Sequence, residues 1–137
     1  MTLEDYIKLD QKRNKGKSAA SEHDLQVQCV TWFRWQYPRL VIMAIPNGGY
    51  RTATTARLMK AEGQLAGVPD LFVPVPAGEY HGLWIEMKNG KAGRLSPAQK
   101  TMHEYLRAQG YAVEVVRDGV HFRSVVTNYI QGTRTPA

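Results

Sequence analysis

Asp70, Glu86 and Lys88 are the residues of this 137-residue chain whose types and spacing could do chemistry together. Asp70 opens one run of strand character, Asp70 to Val75, and Glu86 and Lys88 close another, Leu83 to Lys88. The link between them, Pro76 to Gly82, is short and rich in turn residues, which predicts an antiparallel hairpin. In such a pair the start of one strand lies beside the end of the other, so Asp70 meets Glu86. Glu86 and Lys88 are two apart and share a face, while Ile85 and Met87 take the other face and can pack. Two carboxylates alone repel each other. A hard divalent cation such as Mg²⁺ or Mn²⁺, which prefers oxygen ligands, resolves the conflict. The lysine can orient or activate a water, or stabilise charge developing on a phosphate. Taken singly, Pro-Asp is a turn and Glu-x-Lys a surface pair; their joint placement on one hairpin sets them apart.

The surrounding elements must hold that hairpin. Ser21-Glu22-His23-Asp24 fits a capped helix start with acids in the first turn, and Leu25, Cys29, Trp32 and Phe33 recur at helical spacing up to Tyr37-Pro38. Val41 to Ile45 is a short apolar run of strand type, Asn47-Gly48-Gly49 a turn, and Thr54 to Ala61 a short helix. Ser96-Pro97-Ala98-Gln99 starts a further helix, with Met102, Tyr105 and Leu106 as its apolar face and Gly110 as its stop. Tyr111 to Val116 is then a strand parallel to Leu83–Lys88, because a helix joins the two. Phe122, Val125, Val126, Tyr129 and Ile130 mark a last amphipathic helix. This predicts an α/β domain, a mixed sheet flanked by helices. The domain is expected over residues 21–131, between a flexible basic arm (1–20) and a frayed tail (132–137).

Composition narrows the class. Hydrophobic residues at 43% and charged residues at 22% are ordinary globular usage, which excludes disorder of the whole chain. The longest apolar run, Leu40 to Ile45, is far too short to span a membrane. Cys29 is the single cysteine, so neither an internal disulfide nor a cysteine-based zinc site can form. No apolar leader opens the chain, and a cytoplasmic setting in a bacterial or phage-infected cell is expected. The net charge is +6, and its placement suggests a polyanionic partner. Arg34, Arg39, Arg51, Arg57 and Lys60 fall in a stretch without any acid, and so do Lys88, Lys91, Arg94 and Lys100.

Four segments in order carry a resemblance: Ile45-Pro46-Asn47-Gly48-Gly49, Gly67-Val68-Pro69-Asp70, Trp84-Ile85-Glu86-Met87-Lys88 and Ser96-Pro97-Ala98-Gln99. The second and third look like the PD-(D/E)xK nuclease signature, and the full set is similar to the VRR-NUC family of small nucleases. The resemblance covers roughly Glu22 to Ile130. It implies a restriction-endonuclease-like fold, Mg²⁺- or Mn²⁺-dependent phosphodiester cleavage, and a homodimer acting on branched DNA. Asp70 and Glu86 match the metal ligands, with the Met87 backbone carbonyl as a third, and Lys88 matches the catalytic lysine. Gln99 matches the glutamine that the family carries on the helix after the active-site strand; as third residue of a capping box it could instead cap that helix, and both roles can hold. Glu22 matches the acid of the first helix and could hold a metal water or a second metal; its other role is a first-turn acid favoured by the helix dipole. Gln26 lies one turn on from Glu22 and could support the same face.

Arg51, Arg57, Lys91 and Arg94 are candidates for phosphate contact. His23, His81, His103 and His121 lack metal-ligand spacing and are left unassigned, which removes support for a histidine-metal nuclease. Trp32, Phe33 and Trp35 read as core or dimer surface, and Tyr80-His81 as a solvated loop. With no zinc finger, helix-turn-helix pattern or second domain visible, selectivity for DNA structure is expected rather than for sequence. The competing readings are a non-catalytic DNA-binding or scaffolding module on the same fold, and a nuclease for RNA or single strands.

Overall fold

The computed structural model describes residues 5, 22–46, 52–90 and 93–132. The expected basic arm apart from Asp5, the Ser21 cap, the Asn47-Gly48-Gly49 turn, Arg51, Lys91 and residues 133–137 lie outside these. In chain order the elements are α1 (Glu22–Gln36), β1 (Met43–Ala44), α2 (Ala53–Ala61), β2 (Leu71–Val73), β3 (Leu83–Met87), α3 (Pro97–Ala108), β4 (Ala112–Val116) and α4 (Gly119–Gln131). The strands form one mixed sheet in the order β1-β2-β3-β4. β1 pairs with β2 and β2 with β3 antiparallel, whereas β3 and β4 run parallel. The expected α/β architecture, its hairpin and its parallel final strand are all present.

The pleat sorts the side chains. Leu83, Ile85 and Met87 of β3 point to one face, where they join Leu71 and Val73 of β2, Leu25, Cys29 and Phe33 of α1, and Phe122, Val126 and Ile130 of α4 in one buried core. Burial pushes the Cys29 thiol up to about 12, so this cysteine is a packing residue and not a nucleophile. The other pleat of β3 carries Trp84 and Glu86, and α3 packs on that side.

α3 begins as expected. The Ser96 side chain accepts from Gln99 N–H, Gln99 Oε1 accepts from Ser96 N–H, and Pro97 takes the first turn. Its buried stripe differs from the expected one. His103 and Leu106 are buried and Met102 is half-buried, while Tyr105 is 59% exposed. The stripe follows positions 99, 102, 103 and 106, one helical face, and a histidine rather than the tyrosine fills it.

Gly67 fixes where α3 meets the hairpin. It has a φ of +87°, and a Cβ there would collide with the main-chain oxygen of Ala98. The loop leading to Asp70 therefore touches the first turn of α3 backbone to backbone. Gly67→Ala should destabilise the protein by more than about 2 kcal/mol, since a left-handed residue alone costs about 1–2 kcal/mol before the collision is counted. Chemical denaturation measures this; an unchanged midpoint would show that the contact is dispensable.

Candidate active site

Leu71 pairs with Ile85, so one step further along the antiparallel register Asp70 lies opposite Glu86. Pro69 is fully buried and fixes the chain just before Asp70. Asp70 Oδ2 accepts a hydrogen bond of 2.7 Å from Met87 N–H, which orients its carboxylate across the hairpin. The Asp70 carbonyl accepts from Ile45 N–H at 2.9 Å, so β1 also anchors it.

Glu86, near the end of β3, is only 2% exposed. α3 lies across it and supplies a partner, with His103 Nε2 at 3.3 Å from Glu86 Oε1. Burial, the hydrogen bond to the Asp70 side chain and the charge of Asp70 raise the Glu86 pKa to about 9 from the usual 4.5, and Lys88 offsets part of this. The two carboxylates therefore share a site that disfavours two negative charges. Burial, together with the positive charges of Arg107 and Lys88, lowers the pKa of His103. The ring is thus neutral at pH 7. Among the described residues His103 Nδ1 is buried with no hydrogen-bond partner.

Lys88 follows β3 and is half-buried; its N–H donates to the Val116 carbonyl at 2.9 Å, which carries the parallel pairing past the end of the strand. Glu22, in the first turn of α1, reaches the same end of the sheet, where Glu22 Oε1 accepts from Asn89 N–H at 3.4 Å. Its charge acts on Glu86. Asp70, Glu86, Lys88 and Glu22 thus come together at the end of β3. Gln26 is half-buried on the following turn of α1. Gln99 performs its capping role with Oε1 and lies one turn before His103 on the buried stripe of α3.

Arg57 on α2 and Arg94 before α3 are exposed, and no ion pair among the described residues ties either to the acidic centre. The sequence reading missed two neighbours of the site. One is His103. The other is Arg117, which follows β4 and donates to the Gly90 carbonyl at 2.8 Å. The parallel register could have found it, because Val116 pairs with Met87 and Arg117 therefore follows beside Lys88.

Among the described residues no group of three or more histidine, cysteine, aspartate or glutamate side chains is arranged to hold a metal ion. Asp70 and Glu86 supply two carboxylates, and the Met87 carbonyl is a main-chain oxygen beside them. An all-oxygen set of this kind suits a hard cation, and Glu86, whose pKa is raised first by burial and then by Asp70, is a carboxyl whose charged form such an ion would stabilise.

The buried pair gives the protein a pH signature in a chelator. The folded chain keeps the Glu86 proton that the unfolded chain releases, so stability falls as pH rises from the unfolded value towards about 9. Below about 6.5 His103 acts in the opposite sense, because only the unfolded chain takes up its proton. Between about pH 7 and about pH 8.5 Glu86 dominates, with a limiting slope of about 1.4 kcal/mol per pH unit. Thermal melts across that window should show a falling midpoint. A rising one would contradict the placement of Glu86.

The VRR-NUC domain profile matches residues 17–118. A solved structure described as a VRR_NUC domain protein superposes with a TM-score of 0.71 at 28% sequence identity, covering 84% of this chain and 92% of that one. No curated protein matches the chain. No helix among the described residues is long and apolar enough to cross a membrane. With most of the chain matched by the domain profile and the same fold in that relative, the protein belongs to the VRR-NUC family, a nuclease-type family of the PD-(D/E)xK superfamily.

Proposed function

We propose that this protein is a Mg²⁺- or Mn²⁺-dependent endonuclease that hydrolyses phosphodiester bonds in DNA, selects branched or junction structures over sequence, and works as a homodimer. The observation that carries the reading is the Glu86 carboxyl, buried beside Asp70 on paired strands with Lys88 two residues on. Asp70, Glu86 and the Met87 carbonyl would hold the cation, and Glu22 would hold one of its waters. A cation bound there supplies activation of a water and neutralisation of charge on the phosphate and leaving oxygen.

The chain's own groups do the rest. Met87 N–H keeps the Asp70 carboxylate turned into the site. Lys88 places a positive charge where the attacking water and a phosphate oxygen meet, and its half-buried setting strengthens that charge relative to bulk water. Gln99 lies on the helix face that covers Glu86 and would complete the polar wall. Arg51, Arg57, Lys91 and Arg94 would hold the phosphate backbone. α2 contributes no buried residue, which leaves the surface bearing Arg57 and Lys60 open to a partner.

Backbone-driven binding should weaken steeply with salt, by roughly 0.9 decade per decade of salt for each phosphate neutralised. Salt-insensitive binding measured by fluorescence anisotropy would contradict it. The deciding experiment is incubation of purified protein with labelled duplex, single-stranded, flap and four-way-junction DNA and with RNA, each with Mn²⁺ and with EDTA. Metal-dependent cutting strongest on branched DNA is expected. Cutting confined to RNA or single strands would replace the substrate assignment, and binding without cutting of any substrate would reduce the protein to a scaffolding module. Light scattering of the same sample tests the dimer; a monomer mass would remove that part of the proposal.

A further inference from the structure

We infer that His103 is a positioning residue that holds the Glu86 carboxylate in place for the cation; the inference rests on the metal-site reading above. His103 and Glu86 are on different elements, α3 and β3, and meet across the interface that closes that side of the sheet. They are 1% and 2% exposed, with Nε2 at 3.3 Å from Oε1. A ring with its proton on Nε2 donates to Oε1 and fixes that oxygen, leaving the other for the cation. While Glu86 keeps its proton it hydrogen-bonds the Asp70 side chain. Once both carboxyls are charged that bond is lost and Asp70 repels Glu86, so the donor at Oε1 is what holds it.

The pair is a poor device for stability alone. His103 Nδ1 is buried with no hydrogen-bond partner among the described residues, and a buried polar atom without one is costly. The residues that flank His103 on the buried stripe, Met102 and Leu106, are apolar, and an apolar residue at 103 would have packed beside them without the orphaned Nδ1. Metal-ligating carboxylates are themselves held by hydrogen bonds from the surrounding shell, and loss of such a partner weakens metal affinity by about 10–100-fold. His103 fills that place for Glu86. It touches neither the proposed ion nor the substrate directly.

The test is calorimetric Mn²⁺ titration of the full chain as wild type, His103→Leu, His103→Gln and His103→Asn, with circular dichroism and metal-free thermal midpoints as checks of folding. Gln places an amide nitrogen near the position of Nε2, whereas Asn is too short to reach Glu86. His103→Leu should weaken Mn²⁺ binding by about tenfold or more, and His103→Gln should return it to within about threefold of wild type, the scale expected for a supporting hydrogen bond. A merely structural residue would not be rescued by Gln. If His103→Leu does not fold, the comparison of Gln with Asn decides: binding near wild type for Gln and weakened for Asn supports the assignment, and equal affinities overturn it. Equal Mn²⁺ affinity in folded Leu and wild type also overturns it, as does a folded Gln variant as weak as Leu. A wild type that binds and cuts with Mn²⁺ while His103 proves neutral refutes only this inference. A wild type that binds no Mn²⁺ removes the metal-site reading with it.

Discussion

Lys88→Ala will lose DNA cleavage while keeping the fold. Lys88 lies beyond the last residue of β3, outside the hydrophobic core, and its strand pairing is made by its backbone N–H, which alanine retains. Truncation therefore removes the ammonium and little packing. The ammonium is the cationic side chain two residues from Glu86 on the same pleat, and in the proposed mechanism it orients the nucleophile and stabilises charge on the phosphate. Removing a preorganised group of that kind costs about 10²–10³ in kcat. Single-turnover cleavage with saturating Mn²⁺ measures the loss, and circular dichroism checks the fold. Lys88→Arg should not restore full rate, because a planar fork replaces a compact point charge. Wild-type cutting by Lys88→Ala would remove the lysine from the mechanism.

Glu86→Gln carries the second large effect, and its sign differs between stability and function. At about pH 8 the wild-type chain must keep a proton on a buried carboxyl, or else ionise it beside Asp70. Glutamine fills the same space, is neutral, and can still accept from His103. The metal-free variant should therefore be more stable than wild type, on the scale of the about 1–4 kcal/mol gained when buried ion pairs give way to well-packed apolar residues of similar volume. The same change deletes one of two side-chain ligands for the cation, so Mn²⁺ binding and cleavage should collapse together. Melts in EDTA beside Mn²⁺ titrations separate the two effects. A variant less stable than wild type would mean that the Glu86 charge is well compensated in the fold, and retained Mn²⁺ affinity would mean that Glu86 is no ligand.

The pairing of Asp70 with Glu86 was legible because it needs only local facts: two apolar runs, a short link, and a period of two along a strand. The parallel placement of β4 followed from the intervening helix. The missing parts depend on contacts between segments distant in sequence. Glu86 reads as an exposed strand end until α3 is laid over it. A lone histidine without ligand spacing carries no signal, so His103 emerges only when the helix face is seen to run through positions 99, 102, 103 and 106. Tyr105, apolar enough to be expected inward, faces solvent because that stripe turns it away. Gly67 reads as a turn residue, and its contact with Ala98 appears only once the loop to Asp70 and the start of α3 are in place. β1, with two residues, is shorter than the apolar run that suggested it.

The Asp70–Glu86–Lys88 centre is proposed to cut DNA with the help of a divalent cation. The fraction of end-labelled four-way-junction DNA cleaved by the wild-type protein in Mn²⁺ and in excess EDTA tests this. Cleavage in Mn²⁺ and intact DNA in EDTA are expected. Cleavage that persists undiminished in EDTA, or none in Mn²⁺, would contradict the proposal.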